Sequence, residues 1–90
     1  MLVPVQSGQF KKDVKRARKR GKDLGKLRAL LTLLLAGASL PPRYRDHALR
    51  GSWGGFRDAH LEPDWILIYR VHGDELQLAR TGTHSDLFDL

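Results

Sequence analysis

His60 and Asp64 bracket the tripeptide Leu61-Glu62-Pro63 at the entrance of an apolar run, Trp65 to Tyr69. Read as two strands joined by a three-residue loop, they form the last cross-strand pair, with Cβ atoms about 5 Å apart on one face. A carboxylate at that distance orients an imidazole or works beside it in proton transfer. The simpler alternative is a hydrogen bond that closes the hairpin. Two more histidines can join the pair: His47, in the loop ahead of these strands, and His84, after the last strand. Arg80 ends that last strand, and an antiparallel meander brings it with His84 to the sheet end that holds Asp64.

Such a set can do two kinds of chemistry. Three histidines and a carboxylate are potential zinc ligands, but each comes from a separate segment and no compact ligand pair is present, so no metal and no other cofactor is expected. Cleavage of RNA by its own 2′-hydroxyl suits the set better. It needs a base for the 2′ proton, an acid for the leaving 5′ oxygen and a cation for the charged phosphorane. Imidazole serves both proton roles near neutral pH, with an unperturbed pKa of about 6.5, and a fixed arginine stabilises developing charge. Trp65, Phe56 and Phe88 are candidates to stack on a base, with core packing the competing role for each.

The elements that must position these groups follow from periodicity. Leu2 to Val5 forms a short strand, demoted by Pro4 to an edge or a strand start. Ser7 is an N-cap, and Phe10, Val14 and Ala17 recur at helical spacing up to Gly21. A second helix starts near Asp23, with Leu24, Leu27, Leu30, Leu31, Leu34 and Leu35 as its apolar stripe, and Leu40-Pro41-Pro42 cannot continue it. Strands are expected at Trp53–His60, Asp64–Val71 and Glu75–Thr81, with His72-Gly73-Asp74 as a turn and His84–Phe88 as a turn or short helix. The order β-α-α-β-β-β describes one α+β domain over residues 1–90, an antiparallel sheet with an αα-hairpin packed on one face.

The chain has 90 residues, no cysteine and a net charge of +6. Lack of cysteine excludes disulfides and thiol catalysis and suits a reducing compartment. No apolar run is long enough to span a bilayer and the N-terminus lacks a signal-peptide layout, so a soluble cytoplasmic protein without membrane or small-molecule partners is expected. Residues 11–28 carry ten Lys/Arg against Asp13 and Asp23, whereas residues 44–90 carry five Arg against eight acids. A polyanion or acidic partner is therefore expected at the first half, with Lys11, Lys15, Arg18 and Lys22 as phosphate contacts; a solvated helix face is the plainer alternative.

Three stretches carry a resemblance to a known family: Tyr44-Arg45-Asp46-His47-Ala48-Leu49-Arg50-Gly51-Ser52-Trp53, then Gly55 through Tyr69, then Arg80-Thr81-Gly82-Thr83-His84-Ser85-Asp86-Leu87-Phe88. Together they resemble the YafQ type of bacterial toxin in the RelE/ParE superfamily. The first half matches more loosely, through Ser7 to Asp13 and Leu31 to Leu34. The resemblance implies a ribosome-dependent endoribonuclease that cuts translated mRNA, needs no metal and is inhibited by a cognate antitoxin. By position it implies that His47, His60, Asp64 and His84 are catalytic, and that Arg80, Trp65 and Phe88 serve charge stabilisation and substrate placement. His84 is assigned the general acid, and either Asp64 or His60 the base. His72 belongs to no motif and reads as a turn residue. Ala48 and Gly54 depart from the family pattern without removing a catalytic group. The competing class is a non-catalytic inhibitor of the ParE type, acting by occupancy on a target such as DNA gyrase; it has no need of the four matched histidine and aspartate positions.

Overall fold

In the computed structural model, which describes residues 1–88, five strands form one sheet in the order β1-β5-β4-β3-β2. β1 is Val3–Gln6, β2 His47–Ala48, β3 Arg57–Glu62, β4 Trp65–His72 and β5 Glu75–Gly82. The helices are α1, Gly8–Lys19, α2, Leu24–Leu35, and the short α3, His84–Phe88. The α+β class and the αα-hairpin on one face are as expected. The sheet is mixed and not wholly antiparallel, because β1 pairs parallel to β5. Hairpin turns impose antiparallel pairing only on consecutive strands, and β1 is separated from β5 by nearly the whole chain.

Both long helices start where a side chain satisfies a free N–H. Ser7 Oγ accepts from the Phe10 N–H at 2.9 Å, and its hydroxyl donates to the Ala79 carbonyl at 2.7 Å, tying the start of α1 to β5. Asp23 accepts from the Gly25 N–H at 2.9 Å. α1 lies over β5 and α2 over β3. Phe10, Ala17, Leu27, Leu30 and Leu34 pack there against Leu67, Tyr69, Leu76 and Leu78. The opposite face is thinner: Ile66, Ile68 and Leu87 pack with Leu49, Trp53 and Phe56. β4 is thus buried on both sides, as its unbroken apolar run requires.

Three boundaries differ from expectation. The Trp53–His60 strand starts only at Arg57, because Gly51 and Gly55 adopt φ of 67° and 88°, outside any strand conformation. A single 3₁₀ turn, Gly51–Trp53, stands in its place. The β3–β4 turn is the two residues Pro63-Asp64, with Glu62 opposite Trp65 and a register irregularity between His60 and Glu62. His60 therefore pairs with Ile66, and Asp64 is not its cross-strand partner.

On the helix side Asp13 is a fully buried carboxylate at 1% exposure. It is saturated with donors: Arg80 Nε at 2.8 Å, Arg16 at 3.1 Å, Gln9 at 3.1 Å and the Thr81 N–H at 3.1 Å. Removing it takes the counter-charge from the partly exposed Arg16 and Arg80 and leaves the buried Thr81 N–H without its acceptor. Asp13→Ala is expected to lower the urea unfolding free energy by about 3–5 kcal/mol, whereas Lys12→Ala, on the exposed side of the same helix, should change it by less than about 0.5 kcal/mol.

Candidate active site

Register decides which side chains share the open face. His60 stands opposite Ile66, and Asp58 opposite both Ile68 and His47, so all lie on the face away from the long helices. The ring centroids of His47 and His60 are 6.2 Å apart, those of His60 and His84 5.7 Å, and those of His84 and Phe88 6.2 Å. Three imidazoles and a phenyl ring thus form one row across β2, β3 and α3. His47 is exposed, whereas His60 and His84 are half-buried.

Asp64 is attached to one end of the row. Its Oδ1 accepts the backbone N–H of His84 at 2.9 Å and lies 2.6 Å from His84 Nδ1. A carboxylate at Nδ1 makes that nitrogen the donor, so proton traffic at His84 runs through Nε2. These two contacts, backbone first, hold the Asp64 carboxyl below its ordinary range, so it stays ionised in mild acid.

α3 has only five residues and cannot hold itself. A capping box starts it: the Thr83 N–H donates to Asp86 Oδ2 at 2.9 Å, and the Asp86 N–H donates to Thr83 Oγ1 at 3.0 Å. Arg20 of α1 clamps Asp86 at 2.7 Å, with Arg16 at 3.5 Å. Gly82 leaves room for this contact: a Cβ there would sit 2.9 Å from Asp86 Oδ2 and 3.0 Å from the Arg16 guanidinium, and those side-chain ends would have to move.

At the other end, Arg45 takes a left-handed conformation, φ 49°, and its carbonyl lies 3.0 Å from His47 Nδ1. A carbonyl only accepts, so that ring nitrogen carries the proton and Nε2 the lone pair. The loop is anchored through Asp46, which accepts from Arg57 at 3.2 Å and from the Tyr69 hydroxyl at 2.6 Å. Between the ends, His60 Nδ1 is buried without a hydrogen-bond partner among the described residues. A cleft of about 210 Å³ opens beside His60, flanked by Arg43 and Arg45.

Of the residues expected at the site, the fold therefore gathers His47, His60, Asp64, His84 and Phe88. Arg80 lies apart: its guanidinium is bound to Asp13 at 2.8 Å, since β1 has ended beside it and α1 is within reach. Trp65 lies apart as well, 1% exposed on the helix side, where its indole N–H donates to Thr81 Oγ1 at 3.0 Å. Alternation along β4 puts it opposite in sense to Ile66. Lys22 is held by Glu62 at 2.8 Å, while Lys11, Lys15 and Arg18 are exposed on α1, on the side of the sheet away from the histidines. Asp58, Thr83, Asp86 and Arg45 were not singled out from sequence. Thr83-His84-Ser85-Asp86 has the spacing of a capping box and Asp58 the face parity of His60, and both signals were there to read.

A row of imidazoles braced by carboxylates on the open face of an α+β sheet is an arrangement able to do acid–base chemistry. A family model described as a bacterial toxin of type II toxin–antitoxin systems, YafQ, matches residues 3–89. The mRNA interferase toxin YafQ of Escherichia coli strain K12 is 58% identical over 83 residues, 91% of this chain and 90% of that protein. The putative toxin YafQ of Haemophilus influenzae is 37% identical over 86 residues, 88% of this chain and 84% of that one. The toxin in a crystal structure of the E. coli DinJ–YafQ complex superposes with a TM-score of 0.91 at 54% identity, covering 98% of this chain and 99% of that one. The chain belongs to the YafQ family of type II toxin–antitoxin toxins.

The Arg20 guanidinium, with help from Thr83, holds the Asp86 carboxyl well below its ordinary value of 3.8, against the opposing effect of burial. A carboxyl with a depressed folded-state pKa stabilises the fold above its unfolded pKa, and that contribution is lost as pH falls through the folded value. Asp86→Asn is expected to cost about 1.5–3 kcal/mol at pH 7. Urea titrations of both proteins should show the difference shrinking progressively below pH 3.8.

Proposed function

We propose that this chain is an mRNA interferase that cuts translated mRNA on the ribosome by attack of the RNA's own 2′-hydroxyl. The observation that carries the reading is His84, held at Nδ1 by Asp64 with Nε2 left for proton transfer, in one row with His60 and His47. His47 or His60 takes the 2′ proton, and the freed 2′ oxygen attacks the adjacent phosphorus. The P–O5′ bond breaks, and His84 Nε2 delivers a proton to the departing 5′ oxygen. The products are a 2′,3′-cyclic phosphate and a 5′-hydroxyl end. Asp64 orients His84, since its Oδ1 accepts both contacts from that residue, which leaves the base role to His47 or His60 in this reading.

Phe88, beside His84, stacks on a base near the cut. Arg43 and Arg45 line the cleft next to His60, whereas Arg80 is bound to Asp13, and the two supply the positive charge for the phosphate there. Lys11, Lys15 and Arg18 contact phosphates of ribosomal RNA remote from the reaction, with the salt dependence of counterion release. A cognate antitoxin with an acidic segment blocks the toxin in the bacterial cytoplasm; the DinJ–YafQ complex of the relative supports this pairing.

Mapping of new RNA 5′ ends on translating ribosomes tests the reading. The wild type is expected to create codon-linked ends, and His84→Ala to reduce them about 10²–10⁴-fold at an unchanged unfolding midpoint. No new ends from folded wild-type protein, or undiminished cutting by His84→Ala, would overturn it.

A further inference from the structure

The row has a second carboxylate that none of the catalytic roles above uses. Asp58 is 3% exposed, on β3, opposite His47 and two residues before His60, so its side chain shares their face. Its Oδ1 lies 2.9 Å from His47 Nδ1, in a direction that makes no hydrogen bond, and is otherwise without a donor among the described residues.

We propose that Asp58 is a positioning residue for the acid–base reaction: a buried anion beside His47 that stabilises the positive charge His47 or His60 acquires on taking the 2′ proton. This rests on the acid–base reading above. Ring centroids 5.7–6.2 Å apart mean that charging one imidazole opposes charging its neighbour. Asp64 offsets that repulsion at the His84 end, and Asp58 does the same at the other. A buried carboxylate oxygen without a donor is costly, and a group serving packing alone would be better as an amide or an apolar side chain. The charges that face Asp58 are His47 from β2, His60 on its own strand, His84 from α3 and Asp46 from the loop before β2. Burial pushes the Asp58 carboxyl up from its ordinary range, and the three histidines oppose that push. Asp46 is already committed to Arg57 and Tyr69.

Asp58→Asn keeps the shape and removes the charge. NMR titration of the imidazole Cε1–H signals, recorded without RNA, should place the His47 and His60 midpoints lower than in the wild type. His72, exposed at the β4–β5 turn, should not move. RNA cleavage should fall at least tenfold at pH 7, with the acid limb of its pH profile displaced to lower pH, while the urea midpoint holds or rises. Unmoved midpoints, or a lower urea midpoint with an unshifted pH profile, would overturn the proposal in favour of a structural role. If Asp58→Asn does not fold, ¹³C titration of the Asp58 carboxyl in the wild type decides: a second step coincident with His47 supports the proposal, and a single independent step refutes it. Because the ring titrations need no substrate, a wild type that cuts no RNA would sink the functional reading by itself, distinguishably from this one.

Discussion

One carboxylate oxygen holds the site in shape. Oδ1 of Asp64 receives both the backbone N–H and the ring nitrogen of His84, so a turn residue sets the start of α3 and the orientation of its first side chain together. A helix of five residues has almost no stability of its own, and what fixes it comes from elsewhere in the chain. Asp86 closes the capping box and is gripped by Arg20, and Gly82 leaves the space in which the two meet. His84 is thereby placed by residues from α1, β5 and the β3–β4 turn.

The sheet separates two kinds of work. One face carries the long helices and nearly all of the core, and there Asp13 ties Arg16, Arg80 and the Thr81 backbone together away from water. The other face is thinly covered and carries the histidines. Basic residues divide accordingly. Arg16, Arg20, Lys22, Lys26 and Arg80 bind carboxylates of the protein itself, whereas Lys11, Lys15 and Arg18 are exposed. The net charge of the first half thus overstates the surface open to external partners, because four of the ten Lys/Arg in residues 11–28 are paired with the protein's own carboxylates.

Where local physics decides, the sequence was readable. Ser7 and Asp23 cap their helices, the leucine spacing yields the buried Leu27, Leu30 and Leu34, and the unbroken run of β4 marks the centre of the sheet. β2 escaped notice because two residues carry no alternation. The direction of β1 escaped because it depends on a partner more than seventy residues away. The site was legible in membership more than in arrangement. His60 and Asp64 do belong to it, but through His84 and not as a pair, because β3 runs two residues beyond His60. Arg80 and Trp65 sit next to the right residues in sequence and point elsewhere in space, a matter of strand parity and of where β1 ends. Asp58 shares the face parity of His60 in the sequence, but its burial, which sets it apart from an ordinary strand acid, is visible only in the fold.

In the proposed reaction the RNA supplies its own nucleophile while imidazoles move the protons. A translated mRNA carrying a single 2′-deoxy nucleotide immediately 5′ to the scissile phosphate removes that nucleophile and leaves codon pairing and ribosome binding intact. The substituted message should go uncut at that position while an all-ribose control is cleaved on the same ribosomes. Cleavage of the deoxy message at an equal rate would contradict 2′-hydroxyl attack and, with it, the proton roles assigned to the histidine row.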